Sequence, residues 1–341
     1  MSSPASAPYE YIDTAPAVEA LVARLRDAPR VALDIEADSL HSYYQKVCLI
    51  QLTFGDENCI VDPLVGVDIS VFLRALAAKT LIIHGADYDL RMLRASFGFR
   101  AEGEVHDTLF AAQILGMEEL SLVGLARRFL GVTLTKAGQK TDWSHRPLSL
   151  AQLAYAAADT RYLAAIADLL IAELRRLDRY DAYHAACEHG VAASARDRVR
   201  DPDEAWRIKG LRGLSRRQLA FVREVWRWRE HEAQKTDRPP FRILGNAQLR
   251  ELALWASAHP TARLGHGPRL PRNCVGPRLR ALEHAIERAR ELPEAEWPKS
   301  RRPIRPDRAS AAESAGSPGS LHPAAGETAS GPASRTGRGR P

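Results

Sequence analysis

A strand-like run with acids set into it limits this chain more than any other feature. Val31 to Glu36 reads Val-Ala-Leu-Asp-Ile-Glu, apolar except at Asp34 and Glu36. Two positions apart on an extended backbone, those carboxylates share one face while Leu33 and Ile35 share the other. Such a segment belongs in a sheet with one apolar side, and it brings two negative charges to the opposite side. By itself the pair also fits the solvated end of a strand.

The pattern around it alternates. Val31–Ile35 and Val47–Phe54 read as strands, and Cys59–Val61 as a short one that ends at Pro63. Ile69–Ala78 reads as a helix and Leu81–Ile83 as a strand. A helix from about Tyr88 follows, stopped at Phe97 by Gly98, with Asp87 placed to cap it. Val105-His106 fits an edge strand before a helix through Leu115. Ser121 and Gly131 bracket another helix, and a polar stretch from Lys136 to Pro147 leads into a single long helix over Ser149–Leu177. Strands mixed with helices in this way predict an α/β layer structure. The charged, Pro202-containing stretch 196–203 reads as a linker. Beyond it the pattern is helical, with Leu219, Val222, Val225 and Trp226 at core spacing and Arg216, Arg223 and Arg227 on another stripe.

Two more acidic patches join the first. Asp89 falls in the first turn of its helix, where the macrodipole favours a carboxylate. Tyr155 and Asp159 stand four apart, on one side of a helix, with alanines between them. Neither patch is decisive alone. Brought together, the four acids would repel one another unless cations neutralised them, and oxygen-only ligation suits Mg²⁺ or Mn²⁺.

Charge separates the two halves. Residues 1–190 carry 18 basic against 25 acidic side chains, whereas residues 191–341 carry 30 against 17. A basic half favours a phosphate backbone without any sequence preference. No apolar run is long enough to span a bilayer, and the Ser/Pro/Ala-rich start lacks the pattern of a secretory signal. The four scattered cysteines fit free thiols in a reducing compartment, so a cytoplasmic protein is expected. Ser144-His145 has no third triad member, Gly265-His266-Gly267 is too little for a phosphate loop, and His231-Glu232 lacks the second His of a zinc pair. Trp226 and Trp228 are read as core plus surface.

The order D-x-E, H-x-x-x-x-D-L, Y-x-x-x-D resembles the Tyr-containing DEDD exonucleases, specifically the ribonuclease D family. The segments that carry the likeness are VALDIEADSL, YYQKVCLIQL, HGADYDLRML, HDTLFAAQIL and KTDWSHRPLSLAQLAYAAADTRYL. AWRIKGLRGLSRRQLAFVREVWRWREHEAQKTDRPPFRIL is similar to the helicase-and-RNase-D C-terminal (HRDC) domain. The resemblance implies an RNase H-like exonuclease domain over 10–195, with a mixed central sheet flanked by helices. It further implies a small all-α HRDC-like domain over 204–294. Residues 1–9 and a basic tail, 295–341, are expected to be disordered.

On the same ground, Asp34, Glu36, Asp89 and Asp159 would hold two divalent cations, Mg²⁺ or Mn²⁺, with Tyr155 orienting the attacking water. Glu36 would also accept from the 3′-terminal hydroxyl. His84 is expected to pack at its strand end and to be a secondary candidate for touching nucleic acid, with Arg216, Arg223 and Arg227 on the helical part. The implied reaction is 3′→5′ hydrolysis of RNA to nucleoside 5′-monophosphates by a monomer, with tRNA precursors as the expected substrates. A DNA 3′→5′ exonuclease and a non-catalytic nucleic-acid-binding module stay open as alternatives.

Overall fold

The computed structural model describes residues 8–135, 138, 141–196, 201 and 203–300. Its centre is a six-stranded mixed sheet. The strands are β1 (Glu10–Ile12), β2 (Arg30–Ala37), β3 (Val47–Phe54), β4 (Glu57–Val61), β5 (Thr80–Ile83) and β6 (Val105–Asp107), in the order β1-β4-β3-β2-β5-β6. The β2–β3 and β3–β4 pairs are antiparallel hairpin partners, while β1 runs parallel to β4, and β2, β5 and β6 run parallel to one another. The parallel steps are made by crossovers whose helices share one face, and the other face is covered by helices that follow the last strand.

One face is apolar over the central strands. Val31, Leu33 and Ile35 pack there beneath α1 (Ala15–Leu25), α2 (Ser70–Ala77) and α3 (Ala86–Phe97). After α4 (Thr108–Ile114) and α5 (Leu122–Leu130) the chain crosses to the other face. There α6 (Leu150–Arg161) lies over β3 and β4, and α7 (Leu163–Arg176) lies over Ala32 and Ile82. Asp34 and Glu36 share the Ala32 face, so period-two alternation delivers them to the α6 side. α8 (Tyr180–Ser194) packs against α3, α4 and the edge strand β6.

The single helix expected over Ser149–Leu177 is two helices that meet at Tyr162, whose φ of −105° and ψ of −5° depart from regular α-helical values. The break follows from packing. Thr160 Oγ1 bonds Thr53 Oγ1 at 2.8 Å and ties α6 to β3, whereas α7 must turn to cover β5, β2 and α4. Asp87 is not the cap of α3. That position belongs to Gly85 at φ +82°, a conformation strained for L side chains, and Asp87 pairs instead with Arg91 at 2.7 Å.

The helical part is built on α9 (Arg216–Lys235), opened by a reciprocal Ser215/Gln218 capping box. Leu219, Val222 and Val225 pack against α10 (Pro240–Ile243), α11 (Asn246–Ala258) and α12 (Pro277–Glu291). Trp228 is buried and Trp226 half-buried, in keeping with a core role. Order continues beyond residue 294, where a tail was expected. A 3₁₀ turn spans Glu294–Glu296, and Trp297 Nε1 donates to Leu292 O at 3.0 Å. The linker positions 197–200 and 202, the N-terminal residues 1–7 and the tail residues 301–341 lie outside the described residues.

The sheet and helical parts touch through the loop after β2. Asp237 Oδ1 accepts from the Tyr43 and Tyr44 backbone N–H groups at 2.9 and 3.0 Å, Gln234 Nε2 donates to the Tyr43 hydroxyl, and Arg242 Nε donates to Leu40 O. Among the described residues no helix is long and apolar enough to cross a membrane, and all four cysteines are unpaired and buried.

Candidate active site

The site forms where the sheet's acidic face meets α6. β2 is held between β3 and β5, with Asp34 opposite Gln51 and Glu36 opposite Leu49. Just past Glu36 the register slips, an irregularity that bends the strand end. Above it, α6 starts at a Ser149/Gln152 capping box and is pinned at mid-length by Asn58 Nδ2, which donates to Ala157 O at 2.7 Å. This brings one carboxylate oxygen each of Asp34, Glu36 and Asp159 to within 4.8 Å of one another. Asp89 lies outside that spacing, buried in the first turn of α3, but lines the same cleft of about 340 Å³. Tyr155 and His84 line it too. The Tyr155 hydroxyl hydrogen-bonds the Asp159 carboxylate.

The electrostatics are those of acids short of positive charge. Burial first, and then Asp34 and Asp159, push Glu36 up to about 9. Burial also raises Asp34, and burial together with Asp34 raises Asp159. Asp89 is lifted well above the carboxylate range by burial, then by Asp34, Asp107 and Glu36. Tyr155 is raised by burial and then by Asp159, Glu36 and Asp34, so its phenol stays protonated. No Lys or Arg is among the described residues that line the cleft. A cluster of oxygen donors with no counter-charge among its described lining residues fits divalent cations, which would restore the ionised carboxylates.

Several residues hold this arrangement that the sequence reading did not single out. Asp107 is 1 % exposed and caps two helices at once. Its Oδ1 accepts from Leu109 N at 2.8 Å and Gly85 N at 2.9 Å, and its Oδ2 from Ala86 N at 2.9 Å. It thereby fixes the start of α3, and so Asp89. Its N-cap position before Thr108 was the available signal. Arg146 spends its guanidinium on Asp62 at 2.5 and 2.7 Å and on the carbonyls of Cys48, Trp143 and His145, while Tyr11 also donates to Asp62. That cluster ties the approach to α6 to the sheet. Gly138 lies against Tyr155, and a Cβ there would fall 2.4 Å from the ring.

The secondary candidates divide. His84 lines the cleft and is also anchored at its strand end, with Nδ1 2.9 Å from Thr108 Oγ1, and burial lowers its pKa. Arg216 donates to the carbonyls of Glu294 and Trp297, and Arg223 to that of Glu296, so both hold the C-terminal turn. Arg227 pairs with Glu224 at 2.9 Å and is half exposed. The stripe seen in sequence was in large part a structural clasp, invisible before the turn it holds was located.

Comparison with known proteins supports the same reading. Residues 9–175 match the family model for the 3′-5′ exonuclease domain, and residues 218–261 match the HRDC domain. Ribonuclease D of Acidiphilium cryptum is 33% identical over 295 residues, covering 85% of this chain and 74% of the relative. Among solved structures, the catalytic core of RRP6 from Trypanosoma brucei superposes with a TM-score of 0.70 at 26% identity, over 84% of this chain and 82% of that one. Escherichia coli RNase D, described as an exoribonuclease involved in structured RNA processing, gives 0.66 at 28% identity, over 86% and 78%. The order of the two modules, the RNase H-like sheet and the likeness over most of both chains lead to one conclusion: this chain belongs to the ribonuclease D family.

Proposed function

We propose that this protein is a divalent-metal-dependent 3′→5′ exoribonuclease that trims 3′-extended precursors of structured RNA, tRNA in particular, as a cytoplasmic monomer. The observation that carries this reading is the convergence of Asp34, Glu36 and Asp159 under α6 with no cationic side chain among the described residues that line the cleft. Asp34, Glu36, Asp89 and Asp159 would hold two ions, Mg²⁺ or Mn²⁺. Bound there, such ions lower the pKa of a water and stabilise the departing 3′ oxygen.

The chain's own groups do the rest. The Tyr155 hydroxyl, protonated and committed as a donor to Asp159, keeps its oxygen lone pairs to accept from a water and so orients it. It is a positioning group, since burial and its acidic neighbours make it a still weaker base than free tyrosine. Glu36 accepts from the 3′-terminal hydroxyl, which selects a free end. The helical part and the basic stretch after it, with Arg227 among the cations, hold the RNA backbone.

The test is digestion of a 3′-extended tRNA precursor by the purified chain, with products read at nucleotide resolution. Stepwise release of nucleoside 5′-monophosphates is expected, stopped by EDTA and restored by Mn²⁺ or Mg²⁺. DNA of the same sequence serves as the comparison arm. Equal or faster turnover of DNA would move the assignment to a DNA exonuclease, and no turnover of either would make the chain a binding module.

A further inference from the structure

Three aromatic rings stand among the described residues that line the cleft, Tyr155, Tyr88 and His84, the last anchored through Nδ1 to Thr108. The two tyrosines differ in what their faces meet. The Tyr155 ring is 7 % exposed, with Gly138 against it and Trp143 at a centroid distance of 6.0 Å. Tyr88 keeps 38 % of its surface open, although it directly precedes the buried Asp89. Its hydroxyl is engaged by the Ser39 side chain. Ser39 belongs to the loop after β2, which is held by Asp38 at Lys46 N and by Asp237 at Tyr43 and Tyr44. The ring is therefore fixed at both ends, by the first turn of α3 and by Ser39, while open surface remains beside the carboxylates.

We propose that the Tyr88 ring is the stacking platform for the unpaired base at the 3′ end of the RNA. The inference rests on the exonuclease reading above and assigns the nucleobase its seat. A nucleotide that places its phosphate at the carboxylate-bound cations needs an apolar surface for its base, and the open aromatic ring on the cleft wall supplies one. Every base has a π face, so such a platform tolerates any sequence, but purines overlap it more and bind tighter. A ring already held by its hydroxyl loses little freedom when a base lands on it.

The experiment uses the full chain and two probes. The first is a short RNA with 2-aminopurine at its 3′ end and a non-hydrolysable last linkage. The second is a pair of cleavable RNAs that end in adenine or uracil. Wild type and Tyr88→Phe should quench the fluorophore on binding, and Tyr88→Leu should not. Tyr88→Leu should raise KM for the adenine-ended RNA by about 5- to 150-fold, with a much smaller change in kcat, and should narrow the adenine-over-uracil preference. Tyr88→Trp, which enlarges the ring, should lower KM and guards against a Leu variant that fails to fold. Full quenching by Tyr88→Leu, or an unchanged KM, would overturn the platform. So would an equal loss in Tyr88→Phe, which would make the residue a strut acting through Ser39. If the wild type releases no nucleotide, the exonuclease reading fails instead, and the quenching arm still reports on the ring.

Discussion

This chain draws carboxylates away from water in two ways. In the helical part, Glu224 is 5 % exposed and lies 2.9 Å from Arg227, 3.4 Å from Arg223 and 3.6 Å from Arg288. Glu232, equally buried, has Arg278 at 3.0 Å. In the cleft, Asp34, Glu36, Asp89 and Asp159 face one another with no such partner among the described lining residues. The first arrangement is complete as folded, and it supports α9. The second is unfinished as folded, and its acids sit above their ordinary pKa values because burial and mutual repulsion outweigh the hydrogen bonds they receive. Charge withdrawn from water and matched internally reads as architecture, and charge withdrawn from water and left for solution ions to match reads as chemistry.

The sharpest way to break that contrast is Asp159→Asn. Nucleotide release should drop by about a thousandfold or more. The metal-free protein should nevertheless melt no lower than wild type, and by scanning calorimetry in EDTA it should melt higher, because one repelling acid is gone. A parallel fall in Tm and activity would put Asp159 among the architectural acids.

Next in size is the pH response without metal. The folded pKa of Glu36 lies near 9 against an ordinary 4.5, so between those values the folded state holds the extra proton. Its contribution is therefore whole below about 4.5 and is lost as pH rises toward about 9. Denaturant melts in EDTA should lose on the order of 4 kcal/mol from Glu36 alone between about pH 5 and 8. Saturating Mn²⁺ should flatten that slope. A slope of opposite sign would mean that the acids are compensated after all.

Asp107→Ala should come third. It strips the acceptor from the N–H groups of Gly85, Ala86 and Leu109. Urea titration should show a loss of about 3 kcal/mol, with slower turnover because the start of α3 carries Asp89. Smallest is Glu224→Ala. Its partners Arg227 and Arg288 are about half exposed and can turn to water, and the more buried Arg223 keeps its bond to the Glu296 carbonyl, so about 1–2 kcal/mol should go, with kcat unchanged. A loss of turnover there would tie the internally matched acids to the chemistry.

Legibility in the sequence followed the range of the interactions. Asp34 and Glu36 were readable because period-two alternation is local, and Tyr155 and Asp159 because a four-residue spacing is local. Ser121, Ser149 and Ser215 cap helices as side chains read within one turn. The break at Tyr162 was not readable, because it is set by what α6 and α7 cover on the sheet. Arg216 and Arg223 looked like an open basic stripe because their acceptors lie more than seventy residues away. β1, α1 and α8 left weak traces. β1 is three residues long, α8 has little amphipathic contrast, and neither stands out until β4, β6 and α3 are in place beside it. Of Asp107's two tasks only the cap of its own helix is local, and its hold on Gly85 and Ala86 spans more than twenty residues.

Asp237 holds a positive φ of +44°, uncommon outside glycine, at the point where its carboxylate takes both amides of Tyr43 and Tyr44. A gene cut at the linker would leave those amides and the Tyr43 ring facing water at the rim of the nuclease. The two halves, separable on paper as modules, are therefore poor candidates for exchange. A chimera with a foreign helical domain would need to rebuild this one clasp before its first half could be expected to behave as it does here.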